Sequence, residues 1–216
     1  MIRKKIFIFD LDGTIINSGR DYALAVNYSL KKLKLPKLSE KTIIDFIGNG
    51  IDVSLIKCLS LLHQDLKILP FAKKLFIEHY SNHLLDHTFV YPGIEDILCT
   101  LKDKIKIIIT NKNYDWSKSI LESLGLFQKF AELIGADSNL YKKPDTRLID
   151  YIKKKYDCNN DAIVVIGDGV NDIIMAKNSG VTSCAFLNGL SDRKMLISLD
   201  PSYLYEDPRE LKLLFC

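Results

Sequence analysis

The chain has few cysteines and no long hydrophobic run. Its 216 residues include five cysteines, and no two of them form a CxxC pair. The sequence therefore predicts neither a disulfide framework nor a thiolate zinc site. The apolar run near the N-terminus extends only from Ile6 to Phe9 before Asp10 ends it, which is too short for a signal peptide or a membrane span. We expect a cytoplasmic protein without a membrane partner.

A large excess of one charge sign is also missing. Thirty Lys and Arg residues stand against twenty-seven Asp and Glu, and the formal net charge is +3. Such a balance does not favour a nucleic-acid partner. The patterns GxGxxG, GxxxxGK[ST] and GxSxG are absent, so a dinucleotide site, a P-loop and a nucleophile-elbow serine hydrolase are unsupported. The apolar fraction of 47% is ample for a globular core.

Short apolar runs alternate with helical patterns through most of the chain. The runs lack polar alternation, which is typical of strands buried on both faces of a sheet. They are Lys5–Phe9, Ile105–Ile109, Ala162–Ile166, Thr182–Phe186 and, more weakly, Glu132–Ile134. Helical patterns lie between them. This alternation predicts an α/β fold, with a doubly wound parallel sheet as a Rossmann-like core.

The stretch from Asn17 to Phe89 is different, because it contains no such run and is typical of several helices. We expect residues 17–89 to form a smaller helical domain, inserted into a core of residues 1–16 and 90–216. The last helix is predicted over Phe71–Leu85, with His79, His83 and His87 on one face. A solvated face is favoured there, and a two-histidine zinc site with an outside ligand is the alternative.

An acidic pair follows the first predicted strand directly, in Asp10-Leu11-Asp12-Gly13-Thr14. Loops at the carboxyl ends of parallel strands are where open α/β sheets bind ligands. Two carboxylates so close together repel, so the pair favours a bound cation or a shared proton. An exposed acidic turn is the alternative. A calcium loop is excluded, because Ile15 stands where that loop needs glycine.

Three further groups follow later strands or precede later helices. Asp168 and Asp172 lie directly after the strand that ends near Ile166, although either could simply cap the next helix. Thr110-Asn111 follows Ile105–Ile109 and offers a hydroxyl and an amide that suit phosphate oxygens. Lys142-Lys143-Pro144 is a basic pair before a helix and is a weak signal alone.

Together these groups indicate one site, because strand ends of a parallel sheet share one edge. Four carboxylates would meet one lysine there. They are Asp10, Asp12, Asp168 and Asp172. Such a surplus of negative charge near an anionic substrate requires a hard divalent cation, for which Mg²⁺ is the natural choice. The arrangement predicts metal-assisted phosphoryl transfer to a carboxylate.

This order of motifs resembles the haloacid dehalogenase superfamily of aspartate-nucleophile phosphatases, over essentially the whole chain. The motifs that carry the resemblance are Phe9-Asp10-Leu11-Asp12-Gly13-Thr14, Ile109-Thr110-Asn111-Lys112, Lys143-Pro144 and Ile166-Gly167-Asp168 through Asp172. Ile47-Gly48-Asn49-Gly50, Thr110-Asn111-Lys112 and the chain length are most similar to the phosphoglycolate phosphatase branch. The resemblance implies that the inserted helical segment is a cap domain.

The resemblance also implies roles for the acidic residues. Asp10 would be the nucleophile and a metal ligand. Asp12 would be the general acid and base, and its backbone carbonyl would contact the metal. Asp168 would bind Mg²⁺, and Asp172 would support the metal shell.

Three residues would bind the transferring phosphate under the same resemblance. They are Thr110, Asn111 and Lys143, of which Lys143 would also pair with Asp10. Gly48-Asn49-Gly50 is consistent either with a helix stop or with a cap loop that contacts the substrate.

The sequence thus predicts a Mg²⁺-dependent phosphatase that acts on a small phosphate monoester through an aspartyl phosphate, with 2-phosphoglycolate as the first candidate. A phosphomutase, a nucleotidase and a pyrophosphatase of the same superfamily are the alternatives. A non-catalytic relative is disfavoured, because no acid of the motifs is missing. The protein is expected to be a monomer or a homodimer.

Overall fold

The computed structural model describes residues 4–138 and 141–215. The strands are β1 (Ile6–Phe9), β2 (Ile16–Asn17), β3 (Phe89–Val90), β4 (Ile105–Ile109), β5 (Glu132–Ile134), β6 (Ile163–Gly167), β7 (Thr182–Phe186) and β8 (Tyr203–Tyr205). The α-helices are α1 (Gly19–Lys32), α2 (Glu40–Ile44), α3 (Ile51–Leu61), α4 (Leu69–Tyr80), α5 (Ile94–Thr100), α6 (Tyr114–Ser123), α7 (Arg147–Tyr156), α8 (Val170–Asn178), α9 (Arg193–Ser198) and α10 (Leu211–Phe215). No helix in the described ranges is both long and apolar enough to cross a membrane.

Six strands form one parallel sheet in the order β5-β4-β1-β6-β7-β8. Counted along the chain within this sheet, the order is 3-2-1-4-5-6, which is the doubly wound arrangement. The predicted α/β fold class is therefore confirmed. The strand order reverses between β1 and β6. In such sheets the ligand crevice lies outside the carboxyl ends of the two strands at this reversal.

The alternation of side chains along β1 explains why the strand is apolar throughout. Phe7 and Phe9 belong to one apolar cluster, and Ile6 and Ile8 belong to another on the opposite face of the sheet. Helices α5, α6 and α10 contribute to the first cluster, while α7 and α8 contribute to the second. Successive residues of a strand point to opposite faces, so a central strand covered on both sides needs apolar residues at every position.

Helices α1 to α4 bury an apolar cluster of their own, which includes Tyr22, Leu30, Leu55, Phe76 and Tyr80. The chain enters this helical segment after β2 and leaves it into β3. These two strands pair antiparallel, with Ile16 opposite Val90 and Asn17 opposite Phe89. The ends of the segment therefore lie side by side.

A buried carboxylate joins the same two connections. The Oδ2 atom of Asp21, near the start of α1, accepts hydrogen bonds from the backbone N–H groups of His87 and Thr88, at 3.0 and 2.8 Å. The Thr88 hydroxyl donates to the same oxygen at 2.8 Å. Asp21 is 1% exposed. A buried carboxylate is costly unless donors surround it, so this position requires the chain to return close to α1.

The prediction of one helix over Phe71–Leu85 is wrong beyond Tyr80. The side-chain amide of Asn82 donates to the Glu78 carbonyl at 2.8 Å, and α4 ends there. The chain has to turn at this point, because Leu84 packs against both the helical cluster and the core cluster. His79, His83 and His87 therefore do not share one helix face.

The sequence also missed three short elements near the C-terminus, α9, β8 and α10. Strand β8 extends the sheet by one edge strand beside β7. Its pattern is exposed at Tyr203 and Leu204 and buried only at Tyr205. A single inward residue gives no apolar run, so a search for buried strands does not detect it.

The two-sided burial of the sheet predicts a large difference between two Leu→Ala variants. Leu148 in α7 is 1% exposed, whereas Leu213 in α10 is 83% exposed. We expect Leu148→Ala to lower the free energy of unfolding by about 2–5 kcal/mol, because it leaves a cavity against the sheet. Leu213→Ala should change it by no more than about 0.5 kcal/mol. Urea unfolding of both variants measures this, and equal losses would contradict the described packing.

Candidate active site

The groups that the sequence singled out lie at the carboxyl edge of the sheet. Asp10 follows β1, Thr110 follows β4 and Asp168 follows β6, and these three strands are neighbours. The backbone N–H of Asp10 donates to the carbonyl of Ile166 at 2.9 Å, which continues the ladder past the end of β1. The site therefore occupies the crevice where the strand order reverses.

Lys143 lies between two carboxylates. Its Nζ atom is 2.6 Å from Asp10 Oδ1 and 2.7 Å from Asp172 Oδ1. Burial lowers the pKa of Lys143, but the charges of Asp10 and Asp172 together raise it by a larger amount. The resulting pKa lies above the ordinary value of a lysine. Lys143 therefore provides a positive charge between the two carboxylates.

Asp168 is surrounded by donors from two loops. Its Oδ1 atom accepts from the hydroxyl of Thr14 at 2.9 Å, and Thr14 in turn accepts from the backbone N–H of Asp168. Its Oδ2 atom accepts from the backbone N–H groups of Leu190 and Ser191, at 2.7 and 3.3 Å. These bonds fix the carboxylate in one orientation without bringing a cation to it.

The carboxyl groups of Asp10 and Asp168 both have unusual pKa values. Burial, followed by the charge of Asp172, raises the pKa of Asp10 to about 7. Burial, followed by the charge of Asp10, raises the pKa of Asp168 to about 7. Both shifts have the same origin, since water is excluded and the acids outnumber the lysines.

Asp12 has a lysine partner that the sequence did not predict. Lys112 Nζ donates to both carboxylate oxygens of Asp12, at 2.9 and 3.2 Å, and to the Tyr80 hydroxyl at 2.6 Å. Ser18 also donates its hydroxyl to Asp12. The expectation that four carboxylates meet one lysine is therefore wrong, because two lysines are present. The signal was available, since Lys112 directly follows Thr110-Asn111 at a strand end.

Asn111 holds two loops together. Its side-chain amide donates to the carbonyls of Gly48 and Lys143, at 2.9 and 3.1 Å, and its Oδ1 accepts from the Lys143 backbone N–H at 3.1 Å. The amide of Asn171 also donates to Gly48, at 3.2 Å, and to Asn49. The loop at Gly48-Asn49-Gly50 thus contacts residues beside the strand ends.

A cavity of about 40 Å³ lies between the strand ends and the helical segment. It is lined by Asp10, Asp12, Tyr22, Ile47, Gly48, Gly50, Ile51, Tyr80, Thr110, Asn111, Lys112, Asn113 and Trp116. Tyr80 packs edge-on against Trp116, with ring centroids 5.2 Å apart. A second cleft of about 340 Å³ shares Asp10 and Gly48 with this cavity. Its lining also includes Lys143, Asp172, Lys41 and Lys57.

Within residues 4–138 and 141–215, no three side chains of His, Cys, Asp or Glu are grouped so that they could hold a metal ion. The pairing at the site explains this. Lys112 pairs with Asp12, and Lys143 is shared between Asp10 and Asp172.

Two glycines leave room for the Asp168 carboxylate, which leads to a test of the site. A Cβ on Gly13 would lie 2.1 Å from Asp168 Oδ2, and one on Gly189 would lie 2.3 Å from Asp168 Cβ. Gly125 shares the positive φ of Gly13 but faces open space. We expect Gly13→Ala to lower the free energy of unfolding by about 1–3 kcal/mol more than Gly125→Ala does. Urea unfolding of both variants measures this difference.

Gly189→Ala should also cost more than Gly125→Ala, although the backbone of Gly189 is not left-handed. Equal stability of all three variants would show that Asp168 is not confined as described.

Comparison with known families and proteins shows which proteins this chain is similar to. Residues 7–186 match the family model of haloacid dehalogenase-like hydrolases. Phosphoglycolate phosphatase from Vibrio cholerae is 31% identical over 94% of this chain and 93% of its own length. Phosphoglycolate phosphatase from Colwellia psychrerythraea is 32% identical over 96% of this chain and 95% of its own length.

Solved structures agree with this placement. The crystal structure of a predicted phosphoglycolate phosphatase from Haemophilus somnus has a TM-score of 0.93 and 27% identity, over 99% of this chain and 98% of that one. A haloacid dehalogenase-like family protein from Streptococcus pneumoniae has the same fold, with a TM-score of 0.90 at 23% identity over the whole of both chains. The resemblance of the motifs is thereby confirmed, and the chain belongs to the haloacid dehalogenase-like hydrolases.

Proposed function

We propose that the protein is a Mg²⁺-dependent phosphatase that hydrolyses a small phosphate monoester, of the kind exemplified by 2-phosphoglycolate, through an aspartyl phosphate. The observation that carries the proposal is the position of Asp10. This carboxylate lies at the strand reversal, beside the buried cation of Lys143 and the second carboxylate of Asp168. The names of the Vibrio and Colwellia relatives support the same substrate.

Asp10 is the proposed nucleophile. Its Oδ1 atom accepts from the Leu11 backbone N–H at 2.6 Å and is paired with Lys143, which leaves Oδ2 to attack phosphorus. The new bond joins Oδ2 to phosphorus, and the bond from phosphorus to the ester oxygen breaks. Lys143 and the Thr110 hydroxyl are proposed to hold the transferring phosphate, together with Asn111.

Asp12 is the proposed general acid and base. It gives a proton to the departing ester oxygen, and it then takes a proton from the water that attacks phosphorus and releases Asp10. An acid-base group of this kind contributes about 10²–10⁴-fold to the rate. In the substrate-free site, Lys112 and Ser18 both donate to this carboxylate.

The chemistry of the donors fits a hard divalent cation. Asp10 and Asp168 would hold Mg²⁺ with the backbone carbonyl of Asp12, and Asp172 would support them through Lys143. The raised pKa values of Asp10 and Asp168 reflect a surplus of negative charge that such a cation would neutralise. When bound, Mg²⁺ would offset charge on the phosphate oxygens.

The helical segment is the proposed cap domain, residues 17–89, on a catalytic core of residues 1–16 and 90–216. Three facts support this division: the separate apolar cluster, the paired strands at the boundary, and the cavity lined from both sides. A cap over a small cavity excludes water from the reacting phosphate and favours small substrates over phosphoproteins.

Phosphate release from a panel of esters tests the proposal. With Mg²⁺ present, we expect free phosphate from 2-phosphoglycolate and little from nucleotides, pyrophosphate or a phosphoprotein. Excess EDTA should abolish the activity, and added Mg²⁺ should restore it. Asp168→Asn should weaken Mg²⁺ binding measured by calorimetry, because it removes a ligand charge. Asp103→Asn is the matched control, because Asp103 is an exposed acid at the opposite edge of the sheet. Its Mg²⁺ affinity and activity should equal those of the wild type.

Full activity in excess EDTA would refute the metal requirement. Isomerisation of a sugar phosphate with little free phosphate would instead identify a mutase.

Variants of Asp10 and Asp12, the two acids of the first motif, should show different kinetics with p-nitrophenyl phosphate as the substrate. Its leaving group needs little protonation, so Asp12→Asn should keep the first step and lose the second. We expect a burst of p-nitrophenolate close to one equivalent of enzyme, followed by a slow steady state. Asp10→Asn should show neither phase, because an amide is a poor nucleophile. Rapid mixing at high enzyme concentration measures both variants, and equally slow, burst-free traces would refute this division of roles.

A further inference from the structure

Lys112 is a buried cation to which neither the four motifs nor the proposed chemistry assigns a role toward substrate. Its side chain is 5% exposed and is in contact with Asp12 and Tyr80. Its Nζ atom donates to both carboxylate oxygens of Asp12 and to the Tyr80 hydroxyl, so the protein holds the ammonium at one place in the cavity wall. Keeping such a charge in a nearly dry site is costly. Its position therefore needs an explanation beyond packing.

The cavity gives that explanation. Among the described residues that line it, Lys112 is the single cation, while Asp10 and Asp12 are both acids. The remaining wall is largely aromatic and aliphatic, with Tyr22, Tyr80 and Trp116 on one side. Low polarity around an ammonium strengthens its attraction for an anion that enters the cavity.

Tyr80 adds a second donor at the same place. Its hydroxyl accepts from Lys112, and its own proton has no acceptor within the part of the chain that the structure describes. Burial raises the pKa of Tyr80, so the phenol stays protonated. An ammonium and a phenolic O–H side by side suit the two oxygens of a carboxylate.

The position of Asp12 fixes which part of a substrate meets this pair. Asp12 is the proposed proton donor to the ester oxygen, and both of its carboxylate oxygens contact Lys112. A leaving group whose ester oxygen lies at Asp12 therefore brings the next atoms of its chain to Lys112. In the phosphate ester of a 2-hydroxy acid, a single carbon separates the ester oxygen from the carboxylate, so the carboxylate reaches this position.

We propose that Lys112, with the Tyr80 hydroxyl, determines specificity by binding a carboxylate on the leaving group, so that the preferred substrates are phosphate esters of short hydroxy acids. This inference rests on the proposed phosphatase function. When the substrate carboxylate binds Lys112, it replaces at least one of the two hydrogen bonds from Lys112 to Asp12. The same contact that recognises the substrate thereby frees Asp12 for proton transfer. Neutral esters are therefore expected to have a lower kcat and a higher KM than esters that carry a carboxylate.

The test compares 2-phosphoglycolate with its carboxamide analogue, which has nearly the same shape and no tail charge. We expect Lys112→Gln to lower kcat/KM for the carboxylate by about 100-fold, and for the carboxamide by no more than about threefold. Lys112→Arg should restore the preference for the carboxylate. Tyr80→Phe should reduce the preference by about tenfold.

Lys57→Gln is the matched control. Lys57 is exposed and lines the neighbouring cleft, so its loss should leave the preference unchanged. An equal fall for both substrates in Lys112→Gln would show that Lys112 only positions Asp12. A loss of preference in Lys57→Gln instead would place the carboxylate in the other cleft. Either result overturns the inference.

A binding measurement separates this inference from the proposed function. Trp116 is the single tryptophan of the chain and lies in the cavity wall, so its fluorescence reports on the cavity. We expect glycolate to change the emission of the wild type but not of Lys112→Gln, and glycolamide to change neither. If no ester releases phosphate, the proposed function fails, while the glycolate titration still tests Lys112. No change with glycolate in the wild type would overturn the inference.

Discussion

The fold has to hold an unbalanced set of charges away from water at the carboxyl ends of β1 and β6. Lys143 neutralises one acid of the group that contains Asp10 and Asp172, and Lys112 neutralises Asp12. Among residues 4–138 and 141–215, Asp168 has hydrogen-bond donors but no lysine or arginine partner. Two of four acids therefore remain without a matching positive charge. Electrostatic repulsion in a medium of low polarity is strong enough to raise pKa values by several units, so these acids destabilise the site that contains them.

The packing of the sheet explains why this destabilisation is tolerated. Every residue of β1 is buried in an apolar cluster on one face or the other, so the backbone that carries Asp10 cannot shift without opening the core. The loops add their own constraints, because Gly13 and Gly189 come so close to Asp168 that no side chain fits. Stability far from the acids thus maintains an arrangement that the acids alone would not adopt.

The sequence predicted the parts of this molecule that depend on local pattern. Ile105–Ile109, Glu132–Ile134 and Thr182–Phe186 match strands residue for residue, because apolar runs between helices have few alternatives. Elements that depend on distant partners were missed. Strands β2 and β3 have two residues each and pair only with each other. Helix α4 ends at Tyr80, before the chain packs Leu84 against both clusters and returns to Asp21. Likewise, the place of Lys112 after Thr110-Asn111 indicated a position near the strand ends, but it did not identify Asp12 as the partner.

The hydrogen bonds from His87 and Thr88 to Asp21 affect which parts of the chain can change in length. Both connections to the helical segment are held together by one carboxylate and by the β2–β3 pair. The entropy of closing a loop grows only with the logarithm of its length, and here the ends of the loop are already fixed side by side. Residues between the two connections can thus be lengthened, shortened or replaced at little cost to the sheet. The sheet and the helical segment therefore meet at one paired junction, and Asp21 is its buried polar contact.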